Sequence, residues 1–554
     1  MKKVLLLFFL HISCLFVASN AFASSRQDSL RGSNGSGRSW WDVQHYALNI
    51  SMDTATHMIS GTNTLLFKVL QSGNDSMQID LQEELEINHV NWIHEEVITP
   101  ISFVREGKVY WLKIPSKNLT IGAEQTIEIN YSGKPRNAKN PPWDGGFIWT
   151  KDSTGKPWVA VACQGLGASS WWPCKDYQGD EPDNGVQFVL NSPLGFYISN
   201  GKEFIDTVQV EDPTNGNIIT KLVTSPSGNI SNPINTYNVT FYAGDYVTWT
   251  DTLMGEKGKL DLTFSVLRYH EQIAREHFKV VKQMLHCFEY WMGPYPFYED
   301  GYKLVEAPYL GMEHQSAVAY GNQYKMGYLG SDRSGSGVGL LFDYIIVHES
   351  GHEWFGNNIT AQDVADNWIH EGMTTYSEAL FAEFVFGKEK ACAFTRGEWN
   401  NIRNNNNVIG NYGVNDEGSS DKYDKGSAVM HMIRMMMNDD EKFRQLLRGL
   451  NKDFYHKIVT SAAVEKYISQ FAGIDFSPLF NQYLRTTNIP GLDWYVKHKK
   501  LYFRFVDAVD GFTLNIPIQS GKKKAVIQPT TNWQSIPWKR TFDVEFSKDF
   551  LLRY

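Results

Sequence analysis

The chain has 554 residues and a formal net charge of −9, from 52 basic and 61 acidic side chains. Hydrophobic residues make up 42% and charged residues 20%. These fractions are typical of a globular protein with sizeable cores, and they argue against a disordered chain or a polytopic membrane protein. The acidic balance excludes nucleic acid as an expected partner, because phosphate binding needs a concentrated basic surface.

The first 23 residues are typical of a secretory signal peptide. A short basic start (MKK) precedes an apolar stretch at 4–17, and the tripeptide 21–23 (AFA) forms an A-x-A cleavage site before Ser24. An uncleaved anchor is the alternative, although the apolar stretch is short for a membrane span. We therefore expect an exported protein, periplasmic or secreted, with no membrane span in the mature chain.

Residue patterns divide the rest of the chain into a tail and three regions. Residues 24–38, rich in Gly and Ser, predict a flexible tail. Residues 39–250 alternate apolar and polar side chains and predict an antiparallel β saddle or sandwich. Helical spacing dominates 251–492, and 493–554 predict a small C-terminal β domain. The predicted fold class is multidomain α+β.

Four cysteines remain after the predicted cleavage: Cys163, Cys174, Cys287 and Cys392. They are too few for a disulfide framework in a chain of this length, and none has C-x-x-C spacing. Unreactive thiols are the expectation, and pairing of Cys163 with Cys174 stays open.

The segment 348–352 reads H-E-x-x-H. Residues four apart share one face of a helix, so His348 and His352 are candidate ligands of one Zn²⁺. Glu349 lies between them and is placed to act on a metal-bound water. A helix that carries two histidines by chance is the alternative interpretation.

Glu371 is the candidate third ligand, because a catalytic zinc takes three protein ligands and keeps one open position. It completes an H-E-x-x-H-x18-E spacing and lies in a second helical segment. Thr375 and Glu378 fall on the same face of that segment. Two successive helices would thus supply two imidazoles and one carboxylate.

Residues 348–357 (HESGHEWFGN) and 368–378 (WIHEGMTTYSE) resemble the zinc aminopeptidases of the aminopeptidase N and leukotriene hydrolase family. Residues 310–314 (LGMEH) are similar to its G-x-M-E-N motif, and 423–426 (YDKG) match its Tyr-x-Lys-Gly element. Gln164, with the later 172–176 (WPCKD), is similar to the end of its N-terminal β domain. The resemblance covers roughly residues 40–490 and implies a thermolysin-like, mainly helical catalytic domain at 251–492.

The resemblance implies a role for each matched residue. Glu349 is the expected general base, Tyr423 the expected oxyanion donor, and Glu378 a support for a zinc-bound imidazole. The residues expected to bind substrate are Gln164, Gly311, Met312 and Glu313. If the resemblance is set aside, each of three residues has a simpler interpretation. Tyr423 is then an ordinary aromatic residue before a helix, Glu313 is an exposed acid in a loop, and Glu378 is a solvent-facing acid on a helix.

The expected function is that of an exported zinc aminopeptidase with one zinc per chain, acting on peptides with a free N-terminus. An oligomer is compatible with the sequence. Leu310, His314 and His370 depart from the family pattern, and the two histidines are expected to pack or hydrogen-bond nearby. A thermolysin-like endopeptidase and a non-catalytic binding protein are the competing interpretations.

Overall fold

A computed structural model of the chain describes residues 24–95, 97–115, 119–195, 197–211, 218–538 and 544–554. The predicted signal peptide at 1–23 lies outside these residues. Within the described part of the chain, no helix combines the length and apolar character needed to cross a bilayer.

The predicted flexible tail at 24–38 is wrong in the structure. Ser25 begins a helix, α1 (Arg26–Gly32), with a capping box that satisfies the first backbone donors. Arg38 is fully buried, pairs with Asp80 and donates to two carbonyl groups at the end of α1. A polar composition indicates that a segment cannot form a hydrophobic core of its own. It does not reveal whether residues far away in the sequence bury that segment.

Three sheets form the N-terminal β region, in the predicted sandwich-like arrangement around a core rich in tryptophan. Its strands are β1 (Trp41–Asp53), β2 (Met58–Val69), β3 (Ser76–Asp80), β4 (Leu85–His94), β5 (Val97–Pro100), β6 (Phe103–Glu106), β7 (Val109–Lys113), β8 (Glu124–Gly133), β9 (Gly146–Lys151), β10 (Pro157–Ala162), β11 (Val186–Asn191), β12 (Tyr197–Ser199), β13 (Lys202–Glu211), β14 (Ile218–Ile230) and β15 (Phe241–Ala243).

The strand orders are β13-β14-β11-β1-β2-β8-β4-β5, β12-β15-β10-β9 and β3-β7-β6. Pairing is antiparallel as predicted, except that β1 and β11 run parallel. A parallel pair needs a long connection, and β9 and β10 lie within the segment that joins these two strands.

A five-stranded sheet begins the catalytic region, with strands β16 (Tyr246–Gly255), β17 (Gly258–Leu267), β18 (Tyr302–Glu306), β19 (Gly311–Met312) and β20 (Val318–Tyr320). The order β16-β17-β18-β20-β19 places β19 at one edge. The boundary predicted at 250–251 falls inside β16, so the sheet that carries Gly311 starts before it.

Helices dominate the chain after this sheet, as predicted. They are α2 (Glu271–His277), α3 (Val280–Met292), α4 (Tyr344–Gly351), α5 (Trp368–Phe386), α6 (Lys388–Glu398), α7 (Asp424–Met437), α8 (Asp440–Asp453), α9 (Ser461–Ala472) and α10 (Ser477–Arg485). A short parallel pair, β21 (Ile359–Ala361) and β22 (Lys457–Val459), lies among them.

The C-terminal region forms two three-stranded sheets, ordered β23-β24-β27 and β26-β25-β28. Its strands are β23 (Gly491–Lys497), β24 (Lys500–Val506), β25 (Ile516–Ser520), β26 (Lys523–Ile527), β27 (Gln534–Pro537) and β28 (Glu545–Phe546). These strands share one hydrophobic core with the helices. Arg396 of α6 adds an ion pair to Asp549 at 2.6 Å. The four described cysteines are free, so Cys163 and Cys174 do not pair.

Candidate metal centre and substrate cleft

Most of the H-E-x-x-H segment lies in the last turn of the short helix α4. Asp343 caps α4 by accepting from the backbone N–H groups of Ile345 and Ile346. The helix ends at Gly351, and His352 follows it with helical backbone angles. His348 and His352 therefore still lie about one turn apart, and their imidazoles point to a common place.

Three atoms from α4 and α5 meet there, as the spacing predicts. The Nε2 atoms of His348 and His352 lie 3.3 Å apart. Oε2 of Glu371 lies 3.2 Å from Nε2 of His352 and 3.6 Å from Nε2 of His348. Ligand atoms about 2.0–2.1 Å from a tetrahedral Zn²⁺ would be roughly 3.3 Å apart. The three distances therefore fit one zinc ion.

The charges around this point favour a cation. Oε2 of Glu371 is buried and accepts no hydrogen bond from any described residue. Burial opposes the charge, but His352 and His348 hold the pKa of Glu371 well below its usual range. Burial likewise lowers the pKa of His348, yet the carboxylates of Glu371 and Glu378 raise it to about 10. A bound metal ion would supply the positive charge that this cluster attracts.

Neighbouring acceptors fix the tautomers of both imidazoles. Nδ1 of His348 donates to Oε1 of Glu378 at 2.8 Å, and Nδ1 of His352 donates to the carbonyl oxygen of Phe355 at 3.0 Å. Each Nε2 then keeps a lone pair toward the common point. Glu378 is fully buried, so the alternative of a solvent-facing acid is wrong.

Glu349 offers a carboxylate oxygen within 4.8 Å of ring nitrogens of His348 and His352. Burial raises the pKa of Glu349 to about 7, against the lowering effect of the two imidazoles. Gly311 leaves the space for this side chain, because a Cβ on Gly311 would lie only 2.7 Å from Oε1 of Glu349. The edge strand β19, which also holds Met312, thus contacts the predicted base.

A cluster of acceptors lies beside the metal ligands. Nε2 of Gln164 donates to Oε1 of Glu313 at 3.1 Å and to Oε1 of Glu371 at 3.5 Å. Tyr237 also donates to Oε1 of Glu313, at 3.1 Å. Glu313 is 3% exposed, so the alternative of an exposed loop acid is wrong. Burial raises the pKa of Glu313, which means that a cationic group arriving here would be stabilised.

Tyr423 reaches the same cluster from the start of α7. Its hydroxyl donates to Oε1 of Glu371 at 3.0 Å. Burial and Glu371 raise the pKa of Tyr423 well above its usual range, so the hydroxyl keeps its proton. Gly426 allows the approach, since a Cβ there would lie 2.7 Å from the Cα of Gly372 in α5. The Tyr-x-Lys-Gly element therefore has a steric reason for its glycine.

These residues line one cleft of about 790 Å³. Sequence reasoning missed two cationic residues of its walls, Arg333 and Arg403, as well as Tyr237 beside Glu313. It also missed Arg31 of α1, whose guanidinium donates to the carbonyl oxygen of Gly165 at 2.6 Å. Nothing in their local sequence marks these residues, because each meets the site through contacts distant along the chain.

The two histidines that depart from the family pattern, His314 and His370, form hydrogen bonds with nearby residues, as predicted. Nδ1 of His314 lies 2.7 Å from the hydroxyl of Tyr242, and Nε2 of His370 accepts from the backbone N–H of Ala361 at 2.8 Å. Burial lowers the pKa of each histidine to about 3. Both are therefore neutral side chains within the core.

We expect His352→Ala to lose bound zinc, because it removes one of three ligands from a preformed site. Glu349→Gln is the matched control, since it keeps the shape of the segment and all three ligands. Metal analysis after dialysis should find about one zinc per chain in the original protein and in Glu349→Gln, and much less in His352→Ala. Equal zinc in all three proteins would contradict the ligand assignment.

Comparison with known proteins agrees with this geometry. Residues 276–483 match the peptidase family M1 domain. Mouse aminopeptidase B is 24% identical over 284 residues, which are 47% of this chain and 41% of that protein. Leukotriene A-4 hydrolase of Xenopus laevis is 22% identical over 455 residues, 78% of this chain and 68% of that protein. The match to aminopeptidase B thus spans less than half of that relative.

A solved M1 zinc metallopeptidase from Deinococcus radiodurans has the same fold, with a TM-score of 0.64 and 19% identity. The match covers 82% of this chain and 96% of the other. The predicted multidomain α+β fold is thereby confirmed. The part of the chain that matches the peptidase family M1 domain, residues 276–483, contains the three candidate zinc ligands.

Proposed function

We propose that this protein is a zinc-dependent aminopeptidase that hydrolyses the first peptide bond of peptides with a free N-terminus. The observation that carries the proposal is the cluster of Glu313, Gln164 and Glu371 directly beside the three candidate zinc ligands. His348, His352 and Glu371 would hold a catalytic zinc ion, and its Lewis acidity would serve to polarise the scissile carbonyl and to lower the pKa of an attacking water.

Glu349 acts as the general base in this proposal. It takes a proton from the attacking water and passes that proton to the leaving amine. A pKa of about 7 suits both steps, because the carboxylate can then accept and release a proton near neutrality. The absence of a side chain at Gly311 leaves room for this carboxylate beside the metal ligands.

Tyr423 stabilises the developing oxyanion. Its hydroxyl keeps its proton and lies 3.0 Å from Oε1 of Glu371, so it already faces the reacting centre. A donor held in place costs little reorganisation when charge develops on the carbonyl oxygen.

The acidic cluster fixes which bond is cut. A protonated α-amine between Glu313 and Glu371 would gain two carboxylate partners in a buried site. The Gln164 amide, which now donates to both carboxylates, would accept from the amine after turning its oxygen inward. Anchoring the amine there leaves only the first peptide bond within reach of the metal ligands. An endopeptidase has no need of such a cluster, and a non-catalytic binding protein has no need of a complete ligand set with its base.

We expect aminoacyl-nitroanilides to be cleaved and their N-acetylated forms to resist, because acetylation removes the positive charge that Glu313 binds. Glu313→Gln should lower kcat/KM by roughly 100-fold, within the range for losing one partner of a buried charge pair. Glu389→Gln, an exposed acid of α6 that does not line the cleft, is the control and should change kcat/KM little. Cleavage of the acetylated forms at comparable rates would identify an endopeptidase.

Replacing Tyr423 by Phe should lower kcat by about 10²–10³, the usual cost of one oxyanion donor. Tyr423 also contacts Glu371, so zinc content must be measured on the same sample and should stay unchanged. Tyr328→Phe removes another hydroxyl from the cleft wall and should leave kcat near its original value. A Tyr423→Phe enzyme with undiminished kcat would refute the assignment.

We also propose that the protein is exported, on the sequence of residues 1–23 alone. Cleavage after 21–23 (AFA) would leave Ser24, directly before the cap of α1, as the first residue. N-terminal sequencing of the protein made in a secreting host should therefore begin at Ser24. Retention of residues 1–23 would count against a cleaved signal.

A further inference from the structure

A second cavity, of about 580 Å³, lies where α8 passes the end of α3. Met292, Gly293, Pro294 and Tyr455 form part of its wall, and it shares no lining residue with the catalytic cleft. Sites for small organic molecules usually measure roughly 300–1,000 Å³. The cavity is therefore large enough for a ligand of its own.

A stripe of cationic residues borders it. Arg444, Arg448 and Lys452 lie four residues apart on one face of α8. The two arginines donate to carbonyl groups in the last turns of α3. Arg444 also pairs with Glu441 of α8 at 2.6 Å, and Arg448 pairs with Glu256 at 2.7 Å. The charges of both arginines are thus already paired with carboxylates.

Lys257 and Lys452 differ from the two arginines in their ion pairing. Both are exposed and line the cavity, and no described carboxylate forms an ion pair with either ammonium. Nζ of Lys257 lies 4.7 Å from the centre of the Tyr455 ring. The rim of the cavity therefore carries two positive charges that are available to a ligand.

The other polar groups of the lining are already paired. Nδ2 of Asn358 donates to Oδ1 of Asn451 at 3.1 Å, and the hydroxyl of Tyr455 donates to a carbonyl oxygen at 2.8 Å. Nε2 of Gln445 donates to Glu441 at 3.1 Å. A peptide or a sugar would leave its own hydrogen-bonding groups unpaired here. The lining suits a molecule with an apolar body and a single anionic group.

We propose that this cavity binds a long-chain carboxylate, with its hydrocarbon chain in the cavity and its carboxylate paired with Lys257 and Lys452. The hydrocarbon chain would cover the largely apolar surface of the cavity. The carboxylate would remain at the rim, where it keeps part of its hydration. This site is independent of the proposed peptidase activity.

Calorimetric titration of the full protein with laurate tests the proposal, and dodecanol and acetate separate the two parts of the ligand. Laurate should bind with a stoichiometry of about one, dodecanol at least about tenfold more weakly, and acetate not measurably. Equal affinity for laurate and dodecanol would overturn the role of the lysines. Absence of laurate binding would overturn the site.

The double variant Lys257→Glu with Lys452→Glu locates the binding. It should lower laurate affinity by at least about tenfold, whereas Lys466→Glu, an exposed lysine of α9 outside the cavity, should leave it unchanged. Thermal unfolding midpoints should match in all three proteins, because both changes are on the surface. Unchanged laurate affinity in the double variant would place the fatty acid elsewhere and refute the proposal.

Discussion

Two imidazole nitrogens and one carboxylate oxygen face one another in the protein interior at 3.2–3.6 Å. When both imidazoles are neutral, all three atoms direct lone pairs toward the same point, and Oε2 of Glu371 has no hydrogen-bond donor among the described residues. Such acceptors repel one another and are costly to bury unless a cation lies between them. Metal binding and the stability of this region are therefore coupled.

Helix α5 is the central structural element of the site. Its residues from Trp368 to Ala382 are all buried, and it supplies Glu371 and Glu378. Two close contacts fix the positions of the neighbouring helices α4 and α7 against α5. A Cβ on Gly351 of α4 would lie 2.5 Å from Oγ of Ser377, and Gly372 faces Gly426 of α7 across a similar gap. These contacts leave the ligands and Tyr423 little freedom to move apart.

The substrate side of the site is assembled from both large regions of the chain. Gln164 lies just after strand β10 of the N-terminal sandwich, whereas Glu313 follows the edge strand β19. The α1 helix adds a further link, because Arg31 donates to the carbonyl group of Gly165, next to Gln164. The position of the amine-binding cluster relative to the metal ligands thus depends on how the two regions pack.

The sequence by itself predicted that two candidate zinc ligands, His348 and His352, lie on one side of a helix, because they are one helical turn apart and that relation is local. It also determined the order of β, helical and β regions, because the spacing of apolar residues that distinguishes a strand from a helix is visible within a single element. Only the tertiary structure decided the rest. The α1 helix replaced a predicted tail, Tyr237 and Arg333 joined the cleft, and a second cavity formed between α3 and α8. The capping box of α1 is a local pattern, but the burial of Arg38 against Asp80, the cleft wall and the second cavity depend on residues far apart in the chain, whose contacts follow from packing.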